Sequence, residues 1–145
     1  MTSTFEAQLA TGKPLVYFTV GDSMEPLLYD RETHVTICAA QGDLRPGDLP
    51  LYRRPTGQYV LHRIIRADGE SYYTRGDNRT GLERVPKAWV LGVVTEITRH
   101  GKHISVTDRT YRLYVAAWGV VYPLRWCCYK VRGLLRFISR RLKMR

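Results

Sequence analysis

Three short stretches hold side chains that could do chemistry together. Gly21-Asp22-Ser23-Met24-Glu25-Pro26 sets a serine between a glycine turn and a proline that stiffens the chain behind it, which is how a nucleophile is presented. His62 follows inside the strand-like run Tyr59-Val60-Leu61-His62-Arg63-Ile64-Ile65, and Asp77 inside Arg75-Gly76-Asp77-Asn78. A serine hydroxyl is not ionised at neutral pH, so Ser23 needs a base, and His62 is the natural one. An acid that orients the imidazole would complete an acyl-transfer set, with Ser23, His62 and Asp77 as its members. In a strand, His62 would share a face with Val60 and Ile64, half-shielded and neutral. Activity should then fall as pH drops through ~6–7, the range of an unshifted histidine.

Taken in order, Gly-x-Ser-Met-x-Pro, His-Arg-Ile and Gly-Asp-Asn resemble the signal peptidase I superfamily over roughly residues 15–97. The resemblance is to the branch that uses histidine where the bacterial enzymes and the related self-cleaving SOS-type repressors use lysine. It implies a serine endopeptidase that removes a leader or signal segment from a peptide precursor without a cofactor or metal. It also implies cleavage after small residues, with substrate bound as an extended strand against the domain edge. The serine turn itself (Gly21, Asp22, Met24, Pro26) is the expected substrate-binding element. In the histidine branch a second acid lies six residues after the aspartate; here it is Glu83, the rival of Asp77 for the role beside His62. The Ser23 N–H should serve the oxyanion. Many family members add a serine hydroxyl two residues earlier, where this chain has Gly21.

The elements that must position these residues read as β. From residue 15 to about 106, short apolar runs alternate with turn residues: 15–20, 34–38, 48–52, 59–65, 71–74, and a hairpin over 89–106 turning at Gly101-Lys102. Pro50 marks its run as an edge or bulged strand. The fold class expected is mostly β, a small coiled antiparallel sheet domain over residues 1–110, followed by a basic, aromatic-rich helical segment over 111–145.

At 145 residues the chain can bury a core without disulfides or metal. Cys38, Cys127 and Cys128 are odd in number and two are adjacent, so no disulfide framework is implied; buried thiols are expected. His100 and His103 flank the hairpin tip, too few ligands for a structural metal. Residues 1–13 are polar, with no basic start leading into an apolar run, so neither a signal peptide nor a span is read there.

Charge is segregated. Residues 1–109 hold 14 Lys and Arg against 13 Asp and Glu, while residues 110–145 hold 9 against none, so the net +10 sits almost wholly in the tail. The body therefore carries no dispersed nucleic-acid-binding face. In the tail, residues 113–129 are apolar but interrupted by Pro123 and Arg125, which disfavours a transmembrane helix. Beyond Lys130, Val131, Leu134, Leu135, Phe137, Ile138 and Leu142 are interspersed with arginines, the pattern of a basic amphipathic helix. Its expected partner is a membrane surface rich in anionic lipid, on the cytoplasmic face if the helix lies flat. The alternative is a repressor-like interaction module without catalysis, binding peptide, lipid or nucleic acid through the tail. Histidine in place of the repressors' lysine, and no helix-turn-helix pattern before residue 15, count against it.

Overall fold

The computed structural model describes the backbone of residues 5–142 and the side chains of all of these except 129 and 133–142; residues 1–4 and 143–145 lie outside the described part, as does the expected apolar face of the tail at Leu134, Leu135, Phe137, Ile138 and Leu142. The described chain is mostly β. Helix α1 (Phe5–Ala10) precedes β1 (Leu15–Phe18), β2 (Thr33–Ala39), β3 (Pro50–Arg53), β4 (Tyr59–Leu61), β5 (Arg63–Asp68), β6 (Ser71–Arg75), β7 (Glu83–Pro86), β8 (Val90–Arg99), β9 (Lys102–Ser105) and α2 (Arg109–Leu142).

The strands form two antiparallel sheets. The larger has the order β1-β2-β8-β3-β4 with β9 paired to β8, and the smaller has the order β5-β6-β7. Alternation within β2 buries Thr33, Val35 and Ile37 on one face, and β8 returns Val94 and Ile97 to the same core. Tyr52 is fully buried and packs with Val60 and Val85. The long β8 ties the body together, pairing with β2, β3 and β9.

One expectation about strands is narrowed and one is corrected. Pro50 does not mark an edge: β3 lies between β8 and β4, with Pro50 as its first residue, and the β3–β8 ladder shifts register between Leu51 and Tyr52, so the bulged alternative holds. The run 59–65 is not one strand. Its first part, β4, pairs with β3, while its second, β5, pairs with β6 in the other sheet. His62 is the residue between them, where the chain changes sheets.

The chain divides into two compact units, residues 1–111 and 112–145. The second is the greater part of α2, one continuous helix through Pro123. Leu113, Val120, Leu124 and Val131 are exposed on it. Among the described residues no helix is long and apolar enough to cross a membrane. Cys127 and Cys128 are exposed free thiols and Cys38 is half-buried, which overturns the expectation of buried thiols in the tail.

Candidate active site

Ser23 sits on a turn fixed from both sides. Upstream, β1 ends and Gly21 takes φ of +88°, a conformation that costs other residues a backbone penalty, while its N–H donates to Asp30 Oδ1 at 2.6 Å. Downstream, the Leu27 and Leu28 N–H groups both donate to the Met24 carbonyl at 3.0 Å. Met24 and Leu28 are buried, so the apolar residues of the turn anchor it in the core while Ser23 stays partly open. The Glu25–Pro26 peptide bond is cis.

The Gly76-Asp77-Asn78 turn clamps this serine turn from above. A Cβ on Gly76 would lie 2.5 Å from the Ser23 carbonyl oxygen, so only glycine permits the approach. Asn78 N–H donates to that same carbonyl at 2.9 Å, and Asn78 Nδ2 donates to the Asp22 carbonyl at 3.2 Å. Arg79 pairs with the Asp22 carboxylate. Two turns more than fifty residues apart thus share one hydrogen-bonded unit, with the Ser23 carbonyl as its hinge.

His62 lies at the crossing of the two sheets, its side chain 14% exposed. Its Nδ1 is 3.3 Å from the Tyr52 hydroxyl, which donates its proton to Glu83 Oε2 at 2.7 Å. Since that proton is committed to the carboxylate, the tyrosine oxygen can only accept from Nδ1–H. This selects the tautomer whose Nε2 carries the free lone pair, as a general base requires. Glu83 is held by a forked pair from Arg54, with Nε to Oε1 at 2.7 Å and Nη2 to Oε2 at 2.6 Å. Glu83 Oε2 also lies 3.9 Å from His62 Nδ1.

The two acid candidates therefore occupy different places. Asp77 is buried, and Arg63 engages both its oxygens, Nε to Oδ1 at 2.8 Å and Nη2 to Oδ2 at 2.7 Å. Arg63, the residue after His62, also donates from Nη1 to the Gly47 carbonyl at 2.9 Å and to the Tyr111 hydroxyl at 3.0 Å. The Asp77–Arg63 pair joins the clamp turn to the start of β5, and no buried polar side-chain atom among the described residues lacks a partner. In this arrangement Asp77 is taken up by Arg63, and Glu83 is the carboxylate that reaches the imidazole's partner Tyr52.

Burial holds the His62 pKa down to about 4, against the attraction of Glu83 and with the help of Arg54 and Arg79. The imidazole is therefore neutral well below pH 6, so a reaction that used it as base would lose activity toward pH 4 rather than at the ~6–7 expected for an unshifted histidine. Hydrogen bonds from Arg54 hold the Glu83 carboxyl below its ordinary value, while burial pushes the Tyr52 phenol up. The relay is thus carboxylate, neutral phenol and neutral imidazole at physiological pH.

Ser23 and His62 line one groove of about 290 Å³, together with Gly21, Met24, Arg54 and Arg79. Asp22 and Pro26, expected to bind substrate, are not among its lining residues. No hydrogen bond joins Ser23 to His62 among the described residues. Such bonds often tighten only in the substrate complex. The Ser23 amide likewise donates no hydrogen bond among these residues, as an oxyanion donor should not.

Sequence reasoning missed Tyr52, Arg54, Arg63 and Arg79. Tyr52 and Arg54 belong to a stretch that reads as an ordinary apolar strand and its end, and nothing local couples them to Glu83. Arg63 and Arg79 flank the motifs and were legible only as neighbours. The hairpin histidines serve locally, His103 Nδ1 with Thr98 Oγ1 at 2.8 Å and His100 Nε2 at 3.7 Å from Glu32. No group of metal-ligand side chains occurs among the described residues. No protein-family model matches the sequence, and no curated protein matches it either.

Proposed function

We propose that the body is a serine endopeptidase of signal peptidase type, cleaving a leader segment from a peptide precursor. The observation that carries this reading is the Glu83–Tyr52–His62 relay lining a groove with Ser23. Ser23 Oγ attacks the scissile carbonyl as His62 Nε2 takes its proton. The resulting imidazolium is stabilised by Glu83 through Tyr52 and across 3.9 Å directly. His62 then returns the proton to the leaving amine, and water, deprotonated by the same base, releases the acyl group. The Ser23 N–H faces the developing oxyanion. Asp77 acts as a positioning residue, through Arg63 and through the turn that holds the Ser23 carbonyl.

The test is cleavage of a peptide pool with small residues ahead of varied bonds. Cleavage by wild type that is lost in both Ser23→Ala and His62→Ala supports the reading; cleavage retained by either variant overturns it.

We propose that the tail brings this activity to a membrane surface. Exposed Leu113, Val120, Leu124 and Val131, nine cationic residues over 110–145 and no acidic one suit an interfacial helix on anionic lipid. Arg125 lies 4.9 Å over the Trp118 ring and Lys130 4.4 Å over the Trp126 ring, so cations and amphipathic rings alternate along the helix. Full-length protein should sediment with phosphatidylglycerol-containing vesicles and stay in solution with phosphatidylcholine alone. Equal partitioning into both would refute an electrostatic component, and no partitioning would refute membrane association.

A further inference from the structure

We propose that the groove recognises an aspartate or glutamate side chain of its substrate close to the cleaved bond, through Arg79 with Arg54 in support. The inference rests on the peptidase reading and names the substrate class of that site.

Two guanidinium groups line the groove, whereas the carboxylates that pair with them, Asp22 and Glu83, do not. The groove wall therefore presents the two guanidinium groups, with Glu83 and the exposed Asp22 beside them but outside the lining. The two arginines are not equivalent. Arg54 spends Nε and Nη2 on Glu83 and Nη1 on Gln58, so its capacity is largely committed. Arg79 donates from Nη2 to Asp22 and from Nη1 to the Asn78 carbonyl, using two of its five N–H donors. Its side chain is 45% exposed and that of Asp22 60%. An exposed pair of this kind contributes little and exchanges partners readily, so an incoming carboxylate can share or replace Asp22.

Position fixes the consequence. Arg79 follows Asn78, whose N–H binds the Ser23 carbonyl, and it grips the side chain of the residue just before Ser23. Its backbone is thus fixed beside the serine turn, and its guanidinium lies within reach of that turn whether or not it holds Asp22. A substrate carboxylate that meets it must come from a residue near the scissile bond. Small residues, which the resemblance implies, offer this cation no partner beyond Asp22 and the Asn78 carbonyl; an acidic side chain adds a charge-assisted hydrogen bond to its remaining N–H donors.

The competing role for Arg79 is purely to hold Asp22 and the serine turn. The two roles predict opposite behaviour for two variants. If Arg79 only holds the turn, Arg79→Gln and Asp22→Asn both slow cleavage of all peptides alike. If Arg79 reads an acid, Arg79→Gln removes the preference, whereas Asp22→Asn frees the guanidinium and sharpens it.

The experiment uses acetylated, amidated peptides, so that no terminal carboxylate competes. Glu, Gln, Ala or Lys is placed in turn at each position from three before to two after the bond. Wild type should favour Glu over Gln at one position by about tenfold in kcat/KM. Arg79→Gln should bring that ratio within twofold of unity, and Asp22→Asn should raise it. No acidic preference at any position, or equal losses on the Glu and Gln peptides in Arg79→Gln, would overturn the proposal. Binding of the same peptides to the Ser23→Ala variant separates the two claims. If wild type cleaves nothing but the variant binds Glu peptides about tenfold better than Gln, the peptidase reading fails and acid recognition stands. Equal binding overturns it.

Discussion

Replacing Glu83 by glutamine removes the charge from the relay at nearly constant side-chain size, at the cost of one of the two Arg54 hydrogen bonds. The carboxylate lies 3.9 Å from His62 Nδ1. At an effective dielectric near 20, a charge at that distance stabilises the imidazolium by about 4 kcal/mol. Glu83 is 26% exposed, and solvent screening brings the attraction to about 2 kcal/mol. Arg54 remains in place and continues to repel a protonated His62, so nothing offsets the loss. Glu83→Gln should therefore lower kcat roughly 30-fold, leave KM within about threefold, and move the acid limb of kcat/KM below that of wild type. Steady-state kinetics across pH 3.5–8 on a cleaved peptide reads all three. A Glu83→Gln enzyme with kcat within twofold of wild type and an unmoved acid limb would refute the relay.

Further outcomes follow from the same geometry. The His62 pKa, about 4 in the folded chain against an unfolded value of ~6.5, means the unfolded state binds more protons between those values. Stability should fall by about 3 kcal/mol as pH drops through that window, and urea midpoints at pH 7 and 4 should converge in His62→Gln. Gly76→Ala puts a methyl 2.5 Å from the Ser23 carbonyl and must displace the serine turn. It should cost about 1–3 kcal/mol in stability and reduce kcat on the order of 100-fold, read by thermal melts and peptide assays. Asp77→Leu leaves Arg63 buried without its carboxylate, so a loss of about 3–5 kcal/mol is expected in urea titration. Asp77→Asn should lose activity mainly through loss of folded protein, with a smaller downward shift of the acid limb than Glu83→Gln, because the Asp77 charge attracts a protonated His62 less than Glu83 does.

Much of this site can be read from one chain because its motifs are local. The serine turn shows itself through Gly21 and Pro26, and the clamp turn through Gly76-Asp77-Asn78. Strand periods located most β segments to within a few residues. Local reading failed where tertiary packing decides. The run 59–65 keeps an apolar pattern across the point where the chain changes sheets, so it reads as one strand. Arg63 and Ile64 are both buried there, which alternation alone forbids. The choice between Asp77 and Glu83 was open for the same reason: each carboxylate's role depends on which arginine reaches it. Arg63 takes one and Arg54 the other. The low His62 pKa is likewise a matter of burial, which no spacing reveals.

The central claim is that Ser23 forms an acyl-enzyme with His62 as its base. Mixing the protein with a peptide ester, quenching in acid and locating the acyl mass by peptide mapping tests it most directly. The account predicts the acyl group on the peptide carrying Ser23, none in Ser23→Ala, and formation slowed ~10²–10⁴-fold in His62→Ala. Turnover without any acyl group on Ser23, or acylation at an unchanged rate in His62→Ala, would contradict it.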